Sequence, residues 1–223
     1  IPQVETIVHN VNGKRTNVIL GPKNNILYGD GTITDHIKDL QFTLSPHSFF
    51  QVNPEQTTVL YDQALEYAGL KGDETVIDAY CGTGTISLFL AHKAKHVIGI
   101  EIVEPAIINA RENARNNGYD NTEFIVADAA VEMPKLYNAG VRPDVIVFDP
   151  IRAGCKEEVL TSAASMEPKR IVYVSCNPAT MARDIEILTH YGYELQEVQP
   201  VDMFPMTAHV EAVALLTRNN VTQ

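Results

Sequence analysis

From Glu74 onward, short apolar runs alternate with segments of helical periodicity, and this alternation constrains the fold more than any other feature of the chain. Strands are predicted at TVIDAY (75–80), HVIGIE (96–101), EFIVAD (123–128), DVIVFD (144–149), RIVYVS (170–175), ELQEVQPVD (194–202) and HVEAVALLT (209–217). Helices are predicted between them at 84–93, 104–117, 129–138, 155–166 and 178–190. Apolar strands joined by amphipathic helices call for an α/β fold, a parallel sheet covered on both faces. Only Met203–Ala208 separates the last two strands, too little for a helical crossover, so they should pair antiparallel at one edge.

The first 45 residues differ. Apolar alternation in VETIVHNV (4–11) and TNVILG (16–21), with turns at Asn12-Gly13, Gly21-Pro22 and Gly29-Asp30-Gly31, predicts short β-hairpins. A segment this small cannot hold a core alone. Residues 46–72 form a connector and a helix, in which Val59, Leu60, Ala64, Leu65 and Ala68 recur at helical spacing before Gly69. Residues 73–223 make the α/β domain. The whole suits one such domain plus a small attachment.

No apolar run reaches the roughly 18 residues of a membrane span, and the start lacks the pattern of a signal peptide, so a cytoplasmic protein is the default expectation. The chain begins with Ile, as a fragment or processed product would. Cys81, Cys155 and Cys176 have no CxxC spacing, which argues against disulfides and zinc. A net charge of -11 argues against nucleic acid as a partner unless a basic patch hides in the average or another part of the protein grips it.

The first strand of the domain ends in Asp78-Ala79-Tyr80-Cys81-Gly82-Thr83-Gly84-Thr85. Gly82 and Gly84 let the backbone turn sharply and approach a ligand, and the helix that follows aims its amides at it. Glu101, 17 residues after Gly84, ends the second strand, where a carboxylate can accept both ribose hydroxyls of an adenosine. A dinucleotide loop would have a third glycine where this chain has Ser87. Asp78 would repel a pyrophosphate but suits the cationic methionine end of S-adenosyl-L-methionine, and Asp128 closes the third strand where that cofactor's adenine would lie. S-adenosylmethionine is therefore preferred over NAD.

Cys176 follows the fifth strand directly and precedes Asn177-Pro178 at a helix start, a position expected to favour the thiolate. Glu211 lies early in the last apolar strand, where a carboxylate is costly unless it faces a polar site or a cationic partner. Asp149-Pro150-Ile151-Arg152 ends the fourth strand. Asp149 there could hydrogen-bond a transferred methyl's carrier or a flat target, or simply start a turn. Cys81 and Cys155 are expected to be structural. A cysteine and a base flanking a cofactor suit methylation of uracil carbon 5: a thiolate adds to carbon 6, carbon 5 takes the methyl, and the base removes the carbon 5 proton.

Four stretches carry a family resemblance: Phe49-Phe50-Gln51-Val52-Asn53-Pro54, the Asp78–Thr85 loop, Val174-Ser175-Cys176-Asn177-Pro178-Ala179-Thr180 with Ala182-Arg183-Asp184, and His209-Val210-Glu211. In these the chain resembles the RNA 5-methyluridine (uracil-C5) methyltransferases, which act on transfer or ribosomal RNA. The resemblance implies a Rossmann-like class I methyltransferase sheet with S-adenosylmethionine as cofactor and RNA as partner. It implies Cys176 as nucleophile, Glu211 as base, and Gln51, Tyr80, Glu101 and Asp149 in contact with cofactor or target, with Arg152 beside the target. Such enzymes extrude the target uridine, at about a few kcal/mol.

Two departures stand out. The family's Asp-Pro-Pro-Arg is Asp-Pro-Ile-Arg here, so the loop bearing Asp149 should be softer. The RNA-binding barrel and iron–sulfur cysteines of longer members are missing, which makes residues 1–45 resemble part of the family's central β-domain. Two rivals remain: an amino-group methyltransferase, which would want an aromatic residue where Arg152 stands, and a cofactor-binding module inactive without its RNA-binding part.

Overall fold

The computed structural model describes residues 3–15 and 19–219. Two hairpins come first: β1 (Ile7–Val11) with β2 (Lys23–Tyr28), and β3 (Ile33–Ile37) with β4 (Leu40–Leu44). Then follow α1 (Pro54–Ala68), β5 (Thr75–Asp78), α2 (Thr85–Ala91), β6 (His96–Glu101), α3 (Glu104–Asn116), β7 (Thr122–Val126), α4 (Ala129–Asn138), β8 (Val145–Phe148), α5 (Glu157–Ser165), β9 (Arg170–Ser175), α6 (Pro178–Thr189), β10 (Tyr193–Val201) and β11 (Glu211–Arg218).

Among the described residues the main sheet has seven strands in the order β10-β11-β9-β8-β5-β6-β7. Strands β5 to β9 run parallel, and β11 enters antiparallel between β9 and β10. The antiparallel pair stands at one edge, as the sequence predicts, with β10 outermost and β11 inside. Its near-continuous burial explains why: Glu211 to Ala214 and Leu216 are buried, whereas β10 is exposed along most of its length. A strand apolar on both faces belongs inside the sheet.

The two faces carry separate cores. Leu60, Leu88 and Ile107 of α1, α2 and α3 pack on one; Met133, Leu160 and Leu188 of α4, α5 and α6 pack on the other. All six are fully buried, and each contributes roughly 1.5–3 kcal/mol by leaving water.

The second hairpin joins the first of these cores through Ile37, Phe42 and Leu44. Its open edge is closed by α3, because Asn113 and Asn117 accept from the Thr43 and Gln41 N–H groups at 2.7 and 2.9 Å. The β1–β2 hairpin is different, with Ile7, Ile26, Leu27 and Tyr28 about half exposed or more. Strand β1 pairs with Lys23–Tyr28 rather than with TNVILG. Within that predicted strand, Thr16–Val18 lie outside the described residues, and Ile19–Gly21 are not extended in a ladder. The Asn10 side chain bonds both the N–H and the C=O of Gly21 at 2.7 Å, which closes the loop where a tight turn was predicted. Among the described residues no helix is long and apolar enough to cross a membrane.

Candidate active site

Parallel strands deliver their carboxyl ends to one rim, and the loops after β5, β6, β7, β8 and β9 surround a single cleft there. Its volume is about 580 Å³, within the range of small-molecule sites. The reversal of β11 matters at this point. Being antiparallel, it brings its amino end to the same rim, and the pairing of Ala212 with Ser175 sets Glu211 opposite Cys176.

Gln51, Tyr80, Gly82, Glu101, Asp128, Asp149, Arg152, Cys176 and Glu211 all line this cleft. Two other residues singled out in the sequence do not. Gly84 lies behind the wall as N-cap of α2, at φ +82, where a Cβ would come within 3.2 Å of Ala110 and Phe124. Asp78 is wholly buried and receives the Ser87 hydroxyl at 2.6 Å. Ser87, standing where a dinucleotide loop has glycine, thus anchors the acid beneath the loop.

Burial pushes the Asp78 carboxyl up to about 6 despite the Ser87 bond and the Tyr80 backbone dipole. Its Oδ1 and the Thr83 Oγ1 are buried polar atoms with no hydrogen-bond partner among the described residues. Such atoms are costly in an apolar interior and common where a ligand completes the bonding.

The sequence motif at 49–54 resolves into separate tasks. Phe50 packs on Phe42, Gln51 lines the cleft, and Asn53 caps α1 through the Gln56 N–H while donating to the Met203 carbonyl. Asp128 caps α4 through the Ala130 N–H and pairs with Lys156 at 3.1 Å, so it is both a helix cap and a lining residue. Glu101 accepts from the Val103 N–H at 2.9 Å.

At the far end of the cleft two carboxyls face a thiol. Burial first, then the charges of Glu211 and Asp78, holds Asp149 well above the usual carboxylate range. Burial also raises Glu211, and Arg152 pulls it back. Cys176 was expected to have a lowered pKa from the helix amino end. The structure reverses that direction: burial raises it, Glu211 and Asp149 raise it further, and Arg152 opposes them. The thiol precedes the N-cap Asn177, whose own side chain already takes the Ala179 N–H, so the helix offers it little. Cys81 and Cys155 are buried, and burial pushes the Cys155 thiol up to about 12.

Sequence reasoning missed several lining residues: Phe49, Tyr61, Thr83, Ile102, Val103 and Lys156. Tyr61 lies on α1 at core spacing, and its hydroxyl meets Thr85 Oγ1 at 3.2 Å.

The sheet order, the glycine loop and the cleft at the strand ends define a Rossmann-like class I methyltransferase fold. A Geobacter metallireducens precorrin-6y C5,15-methyltransferase shares that fold at TM-score 0.64 and 14% identity, over 79% of this chain and 94% of its own. The sequence profile of the tRNA (uracil-5-)-methyltransferase family matches residues 14–219, and the chain belongs to that family. A solved relative, the Pyrococcus abyssi tRNA (uracil-54, C5)-methyltransferase in complex with S-adenosyl-L-homocysteine, matches at TM-score 0.79 and 33% identity, over 96% of this chain and 51% of its own. An uncharacterised RNA methyltransferase of Halalkalibacterium halodurans is 60% identical over 99% of this chain and 48% of its own length. Another, from Oceanobacillus iheyensis, is 60% identical over 97% of this chain and 47% of its own. The chain spans about half the length of the curated relatives it matches.

Proposed function

We propose that this chain is the catalytic part of an S-adenosylmethionine-dependent enzyme that methylates carbon 5 of uridine in transfer or ribosomal RNA. The observation that carries the reading is the convergence of Cys176, Glu211, Asp149 and Arg152 on the cleft that also holds the glycine loop, Glu101 and Asp128. The cleft fits the cofactor: it has room, the Thr83 hydroxyl has no partner among the described residues, and Glu101 and Asp128 present carboxylates to it. Gln51, Tyr80, Gly82, Glu101 and Asp128 would hold it, with Asp78 and Gly84 setting the loop from behind. S-adenosylmethionine supplies an electrophilic methyl group.

Carbon 5 of uracil is too poor a nucleophile to accept that group unaided. Cys176, as thiolate, adds to carbon 6, and the ring's electrons move to carbon 5 and the carbonyl oxygen. After methylation carbon 5 carries both a proton and a methyl. Glu211 takes the proton, the carbon 5–carbon 6 double bond reforms, and the Cys176 thiolate leaves. A carboxylate of raised pKa suits this role, since a base works best with a pKa near the working pH. Arg152 stabilises the anions on both Cys176 and Glu211.

Among the described residues the cations lining the cleft are Arg152 and Lys156, and Lys156 is paired with Asp128. The grip on RNA is therefore assigned to the half of the protein that the longer relatives have beyond this chain. The test is transfer of labelled methyl to unmodified tRNA and rRNA transcripts by the full-length protein, with nucleosides identified by mass spectrometry. The expected product is 5-methyluridine; a different methylated nucleoside would overturn the assignment.

A further inference from the structure

The motif that follows Cys176 has work to do beyond the nucleophile. Helix α6 and its N-cap residue turn four side chains back onto the loop Arg152–Cys155. The Asn177 amide donates to the Arg152 carbonyl at 3.2 Å, and the Thr180 hydroxyl reaches it at 3.4 Å. Arg183 Nη2 donates to the Ala153 carbonyl at 3.0 Å and to the Cys155 carbonyl at 3.4 Å. Asp184, wholly buried, accepts the Cys155 N–H at 2.7 Å and the Tyr173 hydroxyl at 2.5 Å on Oδ2. Its Oδ1 takes Arg183 Nε and Nη2 at 2.8 and 2.6 Å. A buried carboxylate is tolerated when its lone pairs are filled and a cation stands beside it, and both hold for Asp184.

Gly154 shows how tight the joint is. It sits at φ +80, and a Cβ there would lie 2.6 Å from both Arg183 Nη2 and Asp184 Oδ2. The loop thus passes against the helix with backbone alone between them.

We propose that Asp184 is a positioning residue that, with Arg183, rivets the Asp149–Cys155 loop to the β9–α6 segment, fixing Asp149 and Arg152 against the Cys176 thiol. The joined segments carry three of the groups that meet at the far end of the cleft, and Glu211 on β11 is the fourth. Without the rivet the loop is free to move Asp149 and Arg152, two of the three charged groups that act on the thiol. The softness expected from Ile151 is met by this clamp. Ile151 itself is 77% exposed, and its part in the loop is a carbonyl that accepts the Gly154 N–H at 2.8 Å.

The idea builds on the functional reading above, so its test needs a readout that does not depend on RNA. Cys176 is the thiol open to reagents, the other two being buried. Asp184→Asn turns an amide donor toward Arg183 and breaks the joint. Tyr193→Phe is the control, removing a buried hydroxyl bond to the Pro168 carbonyl far from the loop. In the full-length protein we expect the pH midpoint of iodoacetamide alkylation at Cys176 to move in Asp184→Asn by about half a unit or more, as loss of neighbouring charges does. Methyl transfer should fall about tenfold or more in kcat, within the roughly hundredfold that a misplacement of about 1 Å can cost. The Kd for S-adenosylhomocysteine should change less than kcat does, since Glu101 and Asp128 stand on other loops and the clamped segment meets them only through the Lys156–Asp128 pair. Tyr193→Phe should match the wild type in alkylation and kcat.

If Asp184→Asn does not fold, Arg183→Gln cuts the same joint at a half-exposed side chain and should give the same shifts. An alkylation profile unchanged in a folded Asp184→Asn or Arg183→Gln protein would overturn the clamp. A wild type that makes no 5-methyluridine would sink the functional reading while leaving the alkylation comparison to decide the clamp.

Discussion

Replacing Asp78 with Asn should stabilise the ligand-free protein and weaken its hold on cofactor. The carboxyl is wholly buried, and burial lifts it from 3.8 to about 6. That shift of about 2 units corresponds to about 3 kcal/mol of disfavour for the ionised form in the folded state. The sign follows from proton binding. Well below pH 4 both folded and unfolded chains hold the proton, and ionisation adds no cost. Between pH 4 and 6 the unfolded chain ionises first, so stability falls as pH rises. Above pH 6 the folded protein carries the full penalty. Asn is neutral and of the same shape, and its carbonyl can still accept the Ser87 hydroxyl. Urea unfolding should therefore show a gain approaching, and not exceeding, about 3 kcal/mol at pH 8, shrinking to nothing well below pH 4. Calorimetry should show weaker S-adenosylhomocysteine binding in the same variant, a trade of function for stability. Destabilisation at pH 8, or a gain that does not vary with pH, would refute the reasoning from burial.

Glu211→Gln should stall the reaction after methylation, leaving a methylated RNA–protein adduct visible on a denaturing gel; normal turnover would remove Glu211 from the base role. Arg152→Met deletes the cation that lowers both Cys176 and Glu211, so the pH midpoint of Cys176 alkylation should move upward, and a downward shift would contradict the assigned charges. Gly154→Ala combines a positive φ with a Cβ 2.6 Å from two clamp atoms. It should cost about 2–4 kcal/mol by thermal or urea unfolding, in the range of strained, overpacked substitutions.

Much of this was legible in the residues because strand–helix alternation carries strong periodic signals. Among the described residues, the seven strands of the main sheet and the six helices lie where the patterns put them, within a few residues. The residues that end strands, such as Glu101, Asp149 and Cys176, were also readable, since a polar group closing an apolar run sits on the rim by topology alone. What the pattern hid depends on tertiary packing. Tyr61 and Lys156 look like an ordinary core position and a surface lysine until α1 and α5 are packed against the sheet. The partner of β1 was missed because Lys23–Tyr28 has no clean alternation, its residues being exposed at all positions but Asn25. The raised thiol pKa was missed for a related reason: the packing that buries Cys176, and the carboxylates beside it from β11 and the loop after β8, come from segments distant in sequence.

The central claim is that a sulfur of this chain bonds to the pyrimidine. The most direct measurement is mass spectrometry of the full-length protein incubated with S-adenosylmethionine and RNA containing 5-fluorouridine, whose carbon 5 has no proton to lose. The account predicts a stable conjugate, with the nucleotide and methyl masses mapped to the peptide bearing Cys176, and none with Cys176→Ala. Unimpaired methylation of uridine by Cys176→Ala, or a conjugate on another residue, would contradict it.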